Sequence, residues 1–329
     1  MRFFRRSRFL LFGLFLAGCA SETPPLGTSN VTPHFEDQTL VARDGTKLPL
    51  RAWDADAGPP QAVIIALHGM SDYSNAFDLP GQAWAKRGIT TLAIDQRGFG
   101  RASNPGLWAG NDVMRSDLND LAIAAHARFP GVKVFALGES MGGAVVLSDL
   151  AGPFPPAVDG AILVSPAVWS RADMPALYRV ALFMVAHVTP GIILSNNAAG
   201  RVVKVVPSDN IPMLIALGKD PLFQKQTRAD ALYGLVNLMG EARTAPERLS
   251  ASSISTPPIL YLHGTKDQII PSAPAEATMK ALGSRADVRE YPDGYHMLLR
   301  DLEGAKVQED VAAWVLAHAP PSLRASDSK

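Results

Sequence analysis

Cysteine and cofactor-binding motifs are almost absent from this sequence. Cys19 is the only cysteine among 329 residues, so no disulfide can form within the chain. The patterns H-E-x-x-H and C-x-x-C and the Walker phosphate loop do not occur. The sequence therefore indicates neither a metal nor a nucleotide cofactor.

An excess of basic charge is also absent. The chain carries 31 Lys and Arg residues against 31 Asp and Glu residues, with no basic run outside the N-terminus. Domains that bind nucleic acid usually concentrate Lys and Arg on one face and carry a recognisable stacking motif. The sequence therefore predicts no nucleic-acid partner.

The N-terminal hydrophobic run is short. An arginine-rich segment at residues 1–8 precedes an apolar run at residues 9–16. The run is too short to cross a bilayer as a permanent helix, and this combination is typical of a signal peptide. Leu16-Ala-Gly-Cys19 resembles the lipobox of bacterial lipoproteins. The resemblance implies that residues 1–18 are removed and that an acylated Cys19 anchors the protein to a membrane of the cell envelope. The alternative is an ordinary secretory signal followed by a chance cysteine.

Composition predicts flexible segments at both ends of the mature chain. Residues 19–34 are rich in Ser, Thr, Pro and Gly, which favours a flexible tether between lipid and globular domain. Residues 321–329 are expected to form a disordered tail.

Strand-like and helix-like segments alternate along residues 35–165 and 251–320. This alternation predicts an α/β core with a mostly parallel, doubly wound sheet. A turn at Arg43-Asp-Gly-Thr46 predicts an antiparallel hairpin before the parallel part begins. Buried strands are expected at 62–67, 90–94, 132–137, 157–164 and 258–262, and the first of these is a continuous apolar run.

Residues 166–250 interrupt the alternation. They contain an apolar helical stretch at 174–188 and further helical stretches near 221–228 and 229–243, with no clear strand period. The segment is much longer than an ordinary crossover connection. We therefore expect a helical cap inserted between two strands of the sheet.

The stretch Gly138-Glu-Ser-Met-Gly142 lies between a strand-like run and a small, aliphatic, helix-like run. G-x-S-x-G in this context predicts a nucleophile elbow with Ser140 at a helix N-terminus, where free backbone N–H groups favour negative charge. Gly138 and Gly142 are expected to be required, because a side chain there would collide with the neighbouring strand and helix. The alternative is a glycine-rich turn with an incidental serine.

A nucleophilic serine needs a base, and the base needs an orienting carboxylate. His296, in the loop between the last strand and the last helix, is the candidate base. Asp267, five residues after the strand that ends at Leu262, is the candidate acid. Two backbone N–H groups should bind the oxyanion, one from Met141 and one from Met70 in the loop after the strand at 62–67.

Other Asp and His residues near these positions have alternative interpretations. Asp220 and Asp293 are rival acids, although Asp293 is also expected in a Pro-Asp-Gly turn. Asp301 is expected to cap the closing helix. His68 and His263 follow strands and precede glycines, which favours a loop-bracing role.

Four features together resemble the α/β-hydrolase superfamily, and more closely its monoacylglycerol lipase/lysophospholipase branch (the serine aminopeptidase S33-like group). They are His68-Gly69, Asp95-x-Arg97-Gly-x-Gly100, the elbow, and Asp267 with His296, in the chain order Ser, Asp, His. The resemblance implies an acyl-enzyme on Ser140 and a cap that shapes the acyl pocket. One departure is His68-Gly-Met-Ser-Asp72, where monoacylglycerol lipases usually read H-G-x-G-E.

These features predict a membrane-tethered serine hydrolase that cleaves lipid-like acyl esters, which are small-molecule substrates. The apolar stretch at 174–188 motivates the lipid-like substrate, and ordinary packing of a buried helix is the alternative explanation for it. An amidase, peptidase or thioesterase could use the same triad. A non-catalytic lipoprotein that keeps the fold as a binding module is the third possibility.

Overall fold

The computed structural model describes residues 23–195, 205–251 and 255–319. The predicted signal peptide, Cys19 and the predicted tail at 321–329 lie outside the described residues. The described strands, in chain order, are β1 (His34–Glu36), β2 (Thr39–Val41), β3 (Lys47–Trp53), β4 (Ala62–Leu67), β5 (Ile89–Ile94), β6 (Lys133–Glu139), β7 (Gly160–Val164), β8 (Ile193–Ser195), β9 (Gln226–Arg228), β10 (Ile259–Gly264) and β11 (Ala286–Tyr291).

Nine of these strands form one sheet in the order β1-β2-β3-β5-β4-β6-β7-β10-β11. Within this sheet, β5, β4, β6, β7, β10 and β11 pair in parallel with one another. The pairs β1–β2, β2–β3 and β3–β5 are antiparallel. The chain moves to one side of β4 to form β5 and to the other side to form β6. This reversal is a topological switch point, and the carboxyl ends of strands at such a point form the binding crevice of an open α/β sheet. The predicted α/β fold class is confirmed.

The described helices cover both faces of the sheet. Side chains of β4 alternate between the two faces, so that Val63 and Ile65 belong to one apolar core and Ile64 to the other. Helices α1 and α9 pack on the face of Ile64, and α2, α3 and α8 pack on the opposite face. No described helix is both long and apolar enough to cross a membrane. The helices are α1 (Asp78–Ala85), α2 (Asn111–Arg128), α3 (Met141–Leu150), α4 (Ala176–Val188), α5 (Ile211–Lys219), α6 (Ala229–Arg243), α7 (Ala245–Ala251), α8 (Ser272–Leu282) and α9 (Gly304–His318).

The N-terminal hairpin contains one strand more than expected. β2 pairs with β3 across the predicted Asp-Gly turn, and β1 adds to the outer side of β2. Residues 27–31 of the predicted tether are also attached to this turn. The N–H groups of Ser29 and Val31 donate to the carbonyls of Asp44 and Arg43 at 3.2 and 3.0 Å. This part of the segment is therefore not a free chain, because the turn offers it backbone acceptors.

The segment between β7 and β10 contains α4 to α7 and also a short antiparallel pair, β8 with β9. The prediction of a helix at 221–228 is wrong, because residues 226–228 form β9 and pair with residues 193–195. Helix α5 lies just before this region and was not predicted. Strands of three residues carry no readable period, so this pairing is decided by tertiary contacts.

Candidate active site

Ser140 lies in a tight turn between β6 and α3. Its φ and ψ angles are 53° and −112°, a positive-φ conformation that residues other than glycine rarely adopt. The N–H of Ser140 donates to the carbonyl of Val164 at 2.9 Å. Its carbonyl accepts from the N–H groups of Ala144 and Ala167 at 3.0 and 2.9 Å. Surrounding backbone therefore maintains the strain that is typical of a nucleophile elbow.

The elbow, residues 138–142, leaves no room for side chains at its two glycines. A Cβ atom on Gly138 would lie 2.3 Å from the carbonyl of Gly142. A Cβ atom on Gly142 would lie 2.1 Å from the carbonyl oxygen of Leu67 at the end of β4. Both contacts are with backbone, which cannot rotate away, so the turn requires glycine at both positions.

His296 and Asp267 form a buried hydrogen-bonded pair in the loops that follow β11 and β10. His296 Nδ1 lies 2.8 Å from Asp267 Oδ2. The other carboxylate oxygen, Oδ1, accepts the backbone N–H groups of Ile269 and Ile270 at 2.7 and 3.0 Å. Burial alone would raise the pKa of Asp267, but the hydrogen bond and charge of His296 and the two N–H groups outweigh it and lower that pKa. An ionised Asp267 keeps the proton on Nδ1 and leaves Nε2 of His296 to act as a base.

The loop after β4 lies directly beside Ser140. We call residues 68–73 the oxyanion loop, and a Cβ atom on Gly69 of this loop would lie 3.3 Å from Cβ of Ser140. Among the residues that the structure describes, the backbone N–H groups of Met70 and Met141 have no hydrogen-bond acceptor. Unpaired N–H groups in the loop beside a serine and directly after it are the donors that an oxyanion needs, so Met70 and Met141 stay the predicted donors.

His68 braces the oxyanion loop, as predicted. Its Nε2 accepts the N–H of Gln96 at 3.0 Å, so its Nδ1 carries the proton and donates to the carbonyl of Gly69 at 2.8 Å. Complete burial lowers the pKa of His68, which keeps the ring neutral. His263 belongs to β10 itself rather than to the loop after it.

The rival carboxylates are engaged elsewhere. Asp220, in the segment between β7 and β10, accepts the hydroxyl of Tyr73 at 2.6 Å. Asp293 is exposed and pairs with Lys266 Nζ at 2.6 Å. Of the three candidate acids, Asp267 is the one that the structure places against His296.

The prediction that Asp301 caps the closing helix is wrong. Helix α9 begins at Gly304, and the residue before it is Glu303. The carboxylate of Asp301 instead accepts the hydroxyl of Ser208 at 2.6 Å and the N–H of Tyr295 at 2.7 Å. An additional turn separates Asp301 from the helix, and its side chain joins residues 292–303, which we call the base loop, to the segment between β7 and β10.

The Asp95-x-Arg97-Gly-x-Gly100 motif supports the site from behind. Asp95 accepts the N–H groups of Ser74 and Arg101 at 2.9 and 2.8 Å. Arg97 forms two hydrogen bonds of 2.8 Å to Asp117 and also pairs with Asp44 at 2.8 Å. These contacts tie the loop after β5 to Ser74, which directly follows the oxyanion loop, to α2 and to the N-terminal hairpin.

Sequence reasoning missed three buried charged residues that lie between the catalytic loops. Arg300 Nη2 is 2.8 Å from Asp72 Oδ2 and 3.3 Å from Glu139 Oε2. Nothing in the sequence indicates that the three charges meet.

Comparison with known proteins is consistent with this geometry. The model of the family described as Hydrolase_4, serine aminopeptidase S33, matches residues 58–303. The chain is 28% identical over 295 residues to a monoacylglycerol lipase of Mycolicibacterium smegmatis, covering 86% of this chain and 97% of that protein. It is 27% identical over 297 residues to a monoglyceride lipase of Rattus norvegicus, covering 88% and 94%.

The crystal structure of a monoacylglycerol lipase from Paleococcus ferrophilus superposes with a TM-score of 0.67 at 20% identity, covering 82% of this chain and 99% of that one. This similarity shows the fold. The family match spans the elbow and both loops that carry Asp267 and His296, and the chain therefore belongs to the Hydrolase_4 (serine aminopeptidase S33) family of α/β hydrolases.

Proposed function

We propose that this carboxylic ester hydrolase cleaves lipid-like acyl esters through an acyl-enzyme intermediate on Ser140. The observation that carries the mechanism is the buried hydrogen bond of 2.8 Å between His296 and Asp267, in a molecule whose serine elbow is strained. Such a pair supplies an oriented base, and the elbow supplies an exposed hydroxyl at a helix N-terminus.

In the proposed reaction, Nε2 of His296 takes the proton of the Ser140 hydroxyl while Oγ attacks the acyl carbonyl carbon. The N–H groups of Met70 and Met141 bind the resulting oxyanion. Collapse of the tetrahedral intermediate breaks the ester bond, and His296 donates its proton to the leaving alcohol. Water then attacks the acyl carbon of the acyl-enzyme while His296 takes a proton from it. His296 returns that proton to Oγ as the second tetrahedral intermediate collapses, which releases the carboxylic acid and free Ser140.

The surface between β7 and β10 supports a lipid-like substrate. Leu177, Val180 and Val188 on α4 are 76%, 61% and 55% exposed, and Ala186 is the one residue of this fully described helix that is buried. Ile211 and Ile215 on α5 are 53% and 54% exposed. Ordinary packing of a buried helix therefore does not account for the apolar residues of α4. Exposed apolar side chains grouped on a helix in this way typically contact lipids or another apolar partner.

Acylation of Cys19 would hold this apolar surface near a membrane of the cell envelope. The support for this part of the proposal is the lipobox-like Leu16-Ala-Gly-Cys19 and the apolar run before it. Metabolic labelling with an alkyne fatty acid should mark the wild-type protein and not Cys19→Ser, and Cys19→Ser should leave the membrane fraction. Equal labelling of both proteins would contradict lipidation at Cys19.

The catalytic assignment is tested with a fluorophosphonate probe and a panel of p-nitrophenyl esters of graded acyl length. Wild-type protein should be labelled and Ser140→Ala should not. Turnover should rise from short to medium and long acyl chains. Labelling that persists in Ser140→Ala would remove Ser140 as the nucleophile.

The same panel should include aminoacyl anilides and acyl thioesters. Faster turnover of either class than of every oxygen ester would replace the proposed substrate class with a peptidase or thioesterase activity. A folded wild-type protein without turnover of any acyl substrate would instead favour a binding module.

A further inference from the structure

Three charged side chains form a buried cluster at the centre of the site. Arg300, Asp72 and Glu139 are 8%, 2% and 2% exposed. Nη2 of Arg300 contacts both carboxylates, at 2.8 Å for Asp72 and 3.3 Å for Glu139. The proposed mechanism uses none of these side chains.

Each member of the cluster belongs to a different segment of the site: the oxyanion loop, the elbow or the base loop. Asp72 lies in the oxyanion loop two residues after Met70, and its N–H donates to the carbonyl of Gly69 at 3.3 Å. Glu139 directly precedes Ser140. Arg300 lies in the base loop four residues after His296. One guanidinium therefore joins the loops that carry the proposed oxyanion donor, nucleophile and base.

The backbone on both sides of the cluster is also held. Asp72 Oδ1 accepts the N–H of Tyr73 at 2.9 Å, which fixes the carboxylate within its own loop. The N–H of Arg300 donates to Met297 O at 2.8 Å, and its carbonyl accepts from Asn210 Nδ2 at 2.9 Å. A shift of the guanidinium would therefore be transmitted to the loops on either side of Ser140.

The cluster is poorly explained as a source of stability. In many proteins, a buried charged cluster contributes less to the free energy of folding than apolar side chains of the same volume would. Within the described residues, Arg300 Nε, Asp72 Oδ2 and Glu139 Oε1 have no hydrogen-bond partner, so Arg300 and Asp72 form an ion pair without hydrogen-bond geometry and the three charges are incompletely compensated. Burial also raises the pKa of Glu139, which the charge of Arg300 only partly opposes. Nη2 of Arg300 does, however, contact both carboxylates at once and so holds them at a defined separation.

We propose that Arg300 is a positioning residue for ester hydrolysis, holding the oxyanion loop and the serine elbow in register with the base loop. This inference rests on the proposed function, because it assigns Arg300 to the same site. A misplacement of about 1 Å among reacting groups can lower a rate by about a hundredfold. Loss of the cluster should therefore lower kcat while KM stays nearly constant, because the apolar surface that receives the acyl chain is untouched.

The first test is Arg300→Lys, which keeps the charge but replaces the rigid guanidinium that carries Nη2 with a single ammonium on a flexible stem. We expect kcat on a medium-chain p-nitrophenyl ester to fall about tenfold, with KM within about twofold of wild type. The matched control is Arg115→Lys, at a partly buried ion pair with Glu241 where α2 meets α6. The control should keep wild-type kcat and KM.

The second test is the neutral triple variant Asp72→Asn/Glu139→Gln/Arg300→Met, which leaves no unpaired buried charge. It should fold, as monitored by thermal unfolding, and its kcat should fall about a hundredfold. Wild-type kcat in the folded triple variant or in Arg300→Lys would overturn the inference. Fluorophosphonate labelling of wild-type protein distinguishes failure of the proposed function from failure of the proposed role of Arg300. An unlabelled wild-type protein would refute the proposed function.

Discussion

Replacing Asp267 by asparagine tests the orientation of the base most directly. The two carboxylate oxygens of Asp267 have different partners. Oδ1 accepts two backbone N–H groups, and Oδ2 faces Nδ1 of His296 at 2.8 Å. In Asp267→Asn the N–H groups of Ile269 and Ile270 will select the amide oxygen. The amide nitrogen must then face His296.

This arrangement reverses the hydrogen bond at His296. An amide nitrogen donates, so Nδ1 of His296 must accept, and the single proton of the neutral ring moves to Nε2. A protonated Nε2 cannot take the proton of Ser140. Loss of the correct tautomer in a triad of this type costs about 10⁴-fold in kcat. The loss of folding free energy should be much smaller, about 1 kcal/mol, because a charge-assisted buried hydrogen bond is exchanged for a neutral one and no group is left unpaired.

The assay is steady-state hydrolysis of a p-nitrophenyl ester, together with thermal unfolding of each variant. Asp293→Asn is the matched control, since it makes the same chemical change at an exposed carboxylate beside the same loop. Asp220→Asn tests the rival acid and should change kcat little. If Asp267→Asn kept kcat within about tenfold of wild type while folded, the tautomer argument would be refuted. If Asp220→Asn lost activity instead, the acid would be wrongly assigned.

Three further predictions follow from other parts of the molecule. Gly142→Ala should destabilise the fold by about 3 kcal/mol or more, measured by urea unfolding, because its Cβ would lie 2.1 Å from the carbonyl of Leu67; wild-type stability would contradict the elbow geometry. Burial raises the pKa of Asp149 to about 7, so the folded state holds a proton that the unfolded state loses near pH 4. The contribution of Asp149 to the free energy of unfolding should therefore fall between about pH 4 and pH 7 by up to about 4 kcal/mol. Asp149→Asn should flatten that dependence in urea titrations, and an unchanged slope would contradict it. The double variant Leu177→Ser/Val180→Ser should keep the wild-type thermal midpoint and the wild-type turnover of soluble short-chain esters. Its turnover of acyl esters presented in vesicles should fall several-fold. An equal loss on both substrates would exclude a role of this surface in lipid contact.

The sheet and the elbow could be predicted from the sequence because their signals are local. A strand buried on both faces is typically a continuous apolar run, as in β4, where every residue is apolar and buried. The turn around Ser140 demands glycine at fixed offsets, and those glycines are visible in the sequence. The residues proposed as base and acid could be selected because they follow strands in the chain order that this fold uses.

Other features depended on contacts between distant segments. That Asp267 contacts His296 while Asp220 accepts the hydroxyl of Tyr73 follows from where each carboxylate lies in space. The β8–β9 pairing joins residues about thirty positions apart through strands of three residues each, which is too short to show a period.

The sequence by itself determined the α/β architecture, the position of the elbow and the identity of the proposed nucleophile, because periodicity and glycine placement act over a few residues. The tertiary structure alone decided that Arg300 meets Asp72 and Glu139, and that the apolar side of α4 is exposed rather than packed. Charge pairing and burial depend on how distant segments meet when the sheet closes, and a linear sequence carries no signal for that meeting.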